Sequence, residues 1–166
     1  AEMEMLESDF DREIKKLWIV KDNIYMTAAD YDLGRFLKAQ EGDYATALAE
    51  IRRGRKTSHW IWYVFPQLDS LGHSHMAKYY GISGAGEARA YLDEPVLGMR
   101  LREISEALLA VEGKTAVEIL GGIDALKVRS SMTLFDFVSP GDVFARVLEK
   151  YYDGGRCQPT LDRVGR

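Results

Sequence analysis

The chain has 166 residues, 46 % of them hydrophobic and 29 % charged, and a net charge of −4; this is the size of one domain whose core is large enough to fold without staples. The mildly acidic balance excludes broad non-specific nucleic-acid binding, which draws on a basic surface to release phosphate counterions. A lone cysteine, Cys157, excludes an internal disulfide framework and a cysteine-based zinc site, so no metal or cofactor is expected, and the free thiol fits a reducing compartment such as the cytoplasm.

In chain order, Met3, Leu6, Phe10, Ile14 and Leu17 recur at helical spacing among acidic and basic residues, which predicts an amphipathic helix within residues 1–25. Met26 opens MTAADYDL in the manner of a natural start, so 1–25 reads as an appended extension and 26–166 as the domain. The extension is expected to dock on the domain or to join two copies in a homodimer. Asp30 or Asp32 is the expected cap of a short helix through Phe36 and Leu37. Asp43 is the expected cap of the next, where Tyr44, Ala47, Leu48 and Ile51 follow the i, i+3, i+4, i+7 pattern up to Gly54. Ser58 is placed to cap a short helix over the apolar run Trp60 to Phe65, closed by Pro66. Six apolar residues in a row fit a buried strand equally well by periodicity, and the helical neighbours favour a helix. The run is far too short to span a bilayer, and the polar start lacks the apolar stretch of a secretory signal.

Gly72 then breaks the chain, Ser74 caps MAKYY up to Gly81, and Ser83 caps EARAYL. Pro95 suits the first turn of the strongest helix, with Leu97, Leu101, Ile104, Leu108 and Val111 in one stripe and Gly113 as its stop. Thr115 caps AVEIL, and a further helix runs from Asp124 through Phe137. After the turn Ser139-Pro140-Gly141, Val143, Phe144, Val147, Leu148 and Tyr151 give the last helix, and residues 153–166 read as an irregular tail. The expectation is a mainly α, single compact domain of about seven to nine short helices with little or no sheet.

Two segments could carry chemistry. In RRGRKTSHWIWYVFPQ four cations, Arg52, Arg53, Arg55 and Lys56, run directly into His59, Trp60, Trp62 and Gln67. Cations near a helix start suit an anion, aromatic faces suit a ring, and His59 is the natural proton carrier near neutral pH. The competing reading is equally physical: basic residues complement a helix C-terminus, and tryptophans build the core. In DALKVRSSMTLFDF, Asp124, Lys127 and Ser131 fall at i, i+3, i+7 on one helix face. Lys127 and Ser131 at i, i+4 could form a nucleophilic pair. Serines bonding to the carbonyl one turn back are the more usual arrangement, so substrate binding by Lys127, Ser130 and Ser131 is the better expectation. His73 and His75 at i, i+2 do not face each other on a helix, which argues against a metal there.

KTSHWIWYVFPQL, SHMAKYYGI, EARAYLDEPVLGMRLRE and DALKVRSSMTLF resemble the DUF1810 proteins of bacteria and fungi, from Asp32 to Leu161. The resemblance implies a small helical fold with no established activity or cofactor, and His59, Trp60, Trp62, Pro66, Gln67, Lys127, Ser130, Ser131 and Thr133 all agree with its pattern. Glu94 before Pro95, and Gln158 near the C-terminus, depart from it. Some members are labelled calpastatin, an inhibitor class that is disordered, whereas this chain has the pattern of a full helical core. RFLKAQ is similar, more distantly, to a helix of the NADAR family of N-glycosidases acting on nucleotide-like molecules.

The expected function is binding or hydrolysis of a small phosphorylated, ring-bearing metabolite, a nucleotide or ADP-ribose derivative. Arg55 and Lys56 are expected to hold phosphate, Trp60 or Trp62 to stack, and His59 to move a proton. Gln67, Lys127, Ser130, Ser131 and Thr133 would complete the pocket. Glycosidic cleavage needs a carboxylate, for which Asp124 and Glu41 are the candidates. The rival expectation is a non-catalytic protein-interaction module with a structural aromatic core. Convergence of His59, Lys127 and Ser131 on one cleft would separate the two.

Overall fold

The structure, a computed structural model, describes residues 31–165; the helix expected within residues 1–25 lies outside them. Among the described residues there are nine α-helices and no strand: α1 (Gly34–Arg52), α2 (Ile61–Val64), α3 (His75–Tyr79), α4 (Ala85–Asp93), α5 (Pro95–Ala110), α6 (Ala116–Leu120), α7 (Gly122–Val138), α8 (Val143–Tyr152) and α9 (Gln158–Val164). One turn of 3₁₀-helix, Asp69–Leu71, precedes α3, and a single parallel bridge joins Leu68 to Ile82. None of these helices is long and apolar enough to cross a membrane.

Several helix starts follow their local chemistry. The Ser74 hydroxyl accepts from Ala77 N at 3.1 Å. Glu94 caps α5, accepting from Leu97 N at 2.7 Å, with Pro95 in the first turn. Thr115 and Glu118 form a complete capping box at α6. Leu97, Leu101, Ile104 and Leu108 are all buried, so the α5 stripe faces the core as its spacing predicts.

Tertiary packing overrules other local signals. The two helices expected across Asp43 are one: α1 runs unbroken, because Phe36, Gln40, Tyr44, Ala47 and Ile51 form one continuous buried face. Asp43 caps nothing; its carboxylate accepts from the Tyr63 hydroxyl. Ser58 and Ser83 do not cap α2 and α4 with their side chains. The tail expected to be irregular holds α9, with Pro159 in its first turn. Thr160 there is wholly buried, Cys157 N donates to Thr133 Oγ1 at 3.0 Å, and Arg163 reaches Asp69 Oδ1 at 2.7 Å and the Ser83 carbonyl at 2.8 Å. Docking of this kind stabilises a helix too short to show a periodicity of its own.

A line of rings crosses the core. Phe36 meets Tyr91 edge-on with centroids 5.0 Å apart, Tyr91 meets Phe135 at 5.4 Å, and Phe135 meets Phe144 at 5.8 Å. Gln40 is buried beside them and donates to the Tyr63 carbonyl and the Tyr91 hydroxyl. Two features fix the segment after α2. Ile82 N donates to the Gln67 carbonyl and Asp69 N to the Ile82 carbonyl, both at 2.9 Å. Arg35 of α1 donates to the carbonyls of Tyr79 and Gly81 and pairs with buried Glu87 at 3.0 Å, which clamps the end of α3 against α1.

Candidate functional site

The basic-to-aromatic segment is organised by a residue just ahead of it. Glu50, 2 % exposed near the end of α1, accepts from Thr57 N at 2.8 Å, Ser58 N at 3.0 Å, the Ser58 hydroxyl at 2.5 Å and Trp60 Nε1 at 2.9 Å. Burial alone would raise its pKa. The donors from Ser58, Thr57 and Trp60 outweigh burial and hold the carboxyl down at about 2. Trp60 therefore belongs to the core, its face covered and its N–H engaged, rather than to a stacking platform.

Lys56 and Asp124, expected in separate roles as phosphate holder and catalytic carboxylate, are joined to each other. Lys56 Nζ lies 2.8 Å from Asp124 Oδ2 and 4.9 Å from the Trp60 ring centroid, and it donates to the Ser58 carbonyl. Lys56 N donates to the Ile119 carbonyl at 2.7 Å. The pair ties the α1–α2 connection to the first turn of α7, and its two charges cancel within a largely buried setting.

Beyond that clasp α2, α3 and α7 enclose a crevice. Trp62, Gln67, Tyr80 and Lys127 give it polar and aromatic walls over Ile61 and Phe65, and its free space of about 10 Å³ suits one water molecule. Lys127 Nζ sits 5.5 Å from the Trp62 ring centroid, a cation–π contact. Lys127 has no carboxylate partner among the described residues, unlike Lys56. Trp62 Nε1 is buried with no hydrogen-bond partner, and so is the hydroxyl of Ser131, one turn along α7 from Lys127 and 0 % exposed. Buried donors are nearly always satisfied, so the unpartnered Trp62 N–H beside an ammonium with no carboxylate partner, and a second free donor one helical turn away, stand out. Burial raises the Tyr80 phenol above its ordinary value, which keeps it a neutral donor. The glycine that closes this loop is sterically required: a Cβ on Gly81 would lie 2.4 Å from Asp69 Cα.

The other expected residues stand elsewhere. Arg55 and His59 are exposed and do not line the crevice. Ser130 donates to the Leu126 carbonyl at 3.1 Å and lies 3.3 Å from Cys157 Sγ; Thr133 donates to the Arg129 carbonyl at 2.8 Å and accepts from Cys157 N. These two seat α9 against α7. Tyr80 and Glu50 escaped the sequence reading. Tyr80 carried a weak signal, as the last aromatic before Gly81; Glu50 carried none, being one more polar residue in an amphipathic helix. Among the described residues no group of three or more His, Cys, Asp or Glu side chains could hold a metal ion.

A family model described as "Protein of unknown function (DUF1810)" matches residues 30–164. Among solved structures, the conserved hypothetical protein Rv1873 from Mycobacterium tuberculosis is similar at 44 % identity with a TM-score of 0.80, over 82 % of this chain and 98 % of that one. No curated protein matches.

Proposed function

Since the chain belongs to the DUF1810 family, which is described only as of unknown function, we propose from the site itself that it binds a small phosphorylated, ring-bearing metabolite of the nucleotide or ADP-ribose class in the crevice between α2, α3 and α7. The observation that carries this reading is the unpartnered buried Trp62 Nε1 in the wall that Lys127 shares, with the free hydroxyl of Ser131 one helical turn along α7. Two free donors and a cation match a phosphoryl group, which offers several acceptor oxygens and negative charge. The aromatic walls, Trp62 and Tyr80, suit the ring. A phosphate oxygen takes the water-sized space beside Lys127, and the ring lies outside it against the half-buried Trp62 and Tyr80.

The reading is binding rather than hydrolysis. Glycosidic cleavage needs a carboxylate at the reacting carbon. Asp124 is held by Lys56, and Glu41 is exposed on α1. His59, expected to move a proton, has no part in the proposal because it lies outside the crevice.

A thermal-shift panel of nucleotides, nucleotide sugars and ADP-ribose at about 1 mM tests it, since a ligand of the native state raises apparent stability by mass action. The expected result is a rise in Tm with at least one compound. Lys127→Ala and Trp62→Phe, the latter keeping a ring and losing the N–H, should each weaken the affinity about tenfold. No shift with any phosphorylated ring compound would sink the reading.

One observation favours the second reading, a non-catalytic interaction module. Val117, Ile123 and Leu126 around the start of α7 are 57 %, 74 % and 59 % exposed, an apolar group of the kind that marks contact surfaces. Sedimentation of the wild type and of Ile123→Glu separates the possibilities: self-association lost in the variant supports this reading, and a monomer in both removes the homodimer version of it.

A further inference from the structure

The fold has a second place where buried polar groups lack partners, on the far side of α7 where α9 docks. Cys157 lies there, 6 % exposed. Its sulfur is 3.3 Å from the Ser130 hydroxyl, and its backbone N–H is held by Thr133. Thr160 stands one turn along α9 on the same side. It is 0 % exposed, and its hydroxyl has no hydrogen-bond partner. Arg129, adjacent to Ser130 on α7, has a buried Nε–H that also lacks an acceptor. The reduced site therefore sets the Thr160 hydroxyl against a sulfur that is only a weak acceptor, with the free Arg129 Nε–H and its charge in the same neighbourhood. Unsatisfied buried donors of this kind call for an explanation, and an oxygen atom added to the sulfur would supply the missing acceptor.

We propose that Cys157 is a peroxide-modified thiol whose sulfenate oxygen is received by Thr160 and Arg129. The thiolate attacks one oxygen of hydrogen peroxide. The S–O bond forms as the O–O bond breaks, sulfur loses two electrons, and the departing hydroxide takes up a proton and leaves as water. A low-mass peroxide is the matching oxidant because so little of the cysteine reaches the surface. The electrostatics agree with the geometry: burial alone would push the Cys157 thiol up, yet the Ser130 hydroxyl, then Thr160 and Arg129, bring it below its ordinary value and enrich the reactive thiolate. This inference is independent of the ligand proposed for the crevice.

The experiment is sulfenic-acid trapping by a dimedone-type reagent during hydrogen peroxide treatment, read by mass spectrometry. The chain holds one cysteine, so an adduct is assigned without ambiguity, and Cys157→Ser is the blank. The native protein at pH 7 should be labelled about tenfold faster than the same chain unfolded in urea. Thr160→Val, which keeps the side-chain shape, and Arg129→Met should each remove most of that advantage, and a thiol reductant added before the trap should abolish the adduct. Native labelling no faster than that of the unfolded chain, or labelling equally fast in both variants, overturns the proposal. The comparison with the unfolded wild type holds even if a variant fails to fold.

Discussion

Replacing Glu50 with Ala should lower the free energy of unfolding by about 4 kcal/mol, the largest single-site effect we expect in this protein. The carboxylate receives four donors, two backbone amides, the Ser58 hydroxyl and the Trp60 indole. Alanine leaves the buried Trp60 N–H and three part-buried donors without their acceptor. A buried donor without its acceptor costs about 1–3 kcal/mol, and partial relaxation keeps the sum below the simple total. Urea denaturation followed by tryptophan fluorescence is a direct readout, because Trp60 is one of the four donors; a loss under about 1 kcal/mol would contradict the account.

The same residue gives the protein a pH signature. In the unfolded chain Glu50 titrates near its ordinary value of 4.5, and in the folded protein near about 2. A carboxyl whose folded pKa is depressed adds stability above the unfolded value, and that stability is lost as pH falls through the folded one. The contribution is about 3 kcal/mol, fully present above pH 5 and fading between pH 4.5 and 2. Glu50→Gln lacks this ionisation, so the stability difference between wild type and variant should shrink across that window. A difference independent of pH would show that the charge on Glu50 is not what the four donors hold.

Gly98→Ala is the second large effect. A Cβ at this position would lie 2.0 Å from the carbonyl oxygen of Leu92 and 2.9 Å from its carbon. Both atoms are backbone, so no side-chain rotation relieves the contact, and α4 must move away from α5 at the place where Glu94 links them. Overpacking that displaces backbone costs about 3 kcal/mol or more. Gly42→Ala is the control, since Gly42 lies inside α1 and a Cβ there would meet nothing within 4 Å. That change should stabilise the protein by about 1 kcal/mol through helix propensity. Thermal or chemical denaturation of the pair checks both signs at once.

Some of what depended on neighbours in sequence was legible in advance, although the Ser58 and Ser83 caps expected on the same grounds do not form. Pro95 after Glu94, the Thr115 and Glu118 box and the Ser74 cap each act within four residues, and the stripe of α5 repeats within one helix. Part of the site was legible too. Trp62, Gln67, Lys127 and Ser131 were singled out by residue type, and the structure brings the first three together, with Ser131 one turn away. What stayed hidden depends on partners distant in the chain. Lys56 and Asp124 looked like two free functional groups, and only the fold shows them neutralising each other. Ser130 and Thr133 looked like ligand contacts, but they meet Cys157 of a helix too short to announce itself. Asp43 had the composition of a helix cap and lost that role to the buried face running through it.

The clasp between Arg163 and Asp69 spans 94 residues, and that span has a consequence during synthesis. Ribosomes add about 5–20 residues per second, so Asp69 emerges roughly 5–20 s before its partner has been made. In the last part of that interval, after Val138 and before α9 is complete, α7 lacks the cover that α9 provides, and the nascent chain must keep an apolar flank from sticking to its neighbours. A premature stop codon between Tyr152 and Cys157 would make the condition permanent. Such a message should yield a product cleared by proteases, although it encodes nearly every helix of the domain.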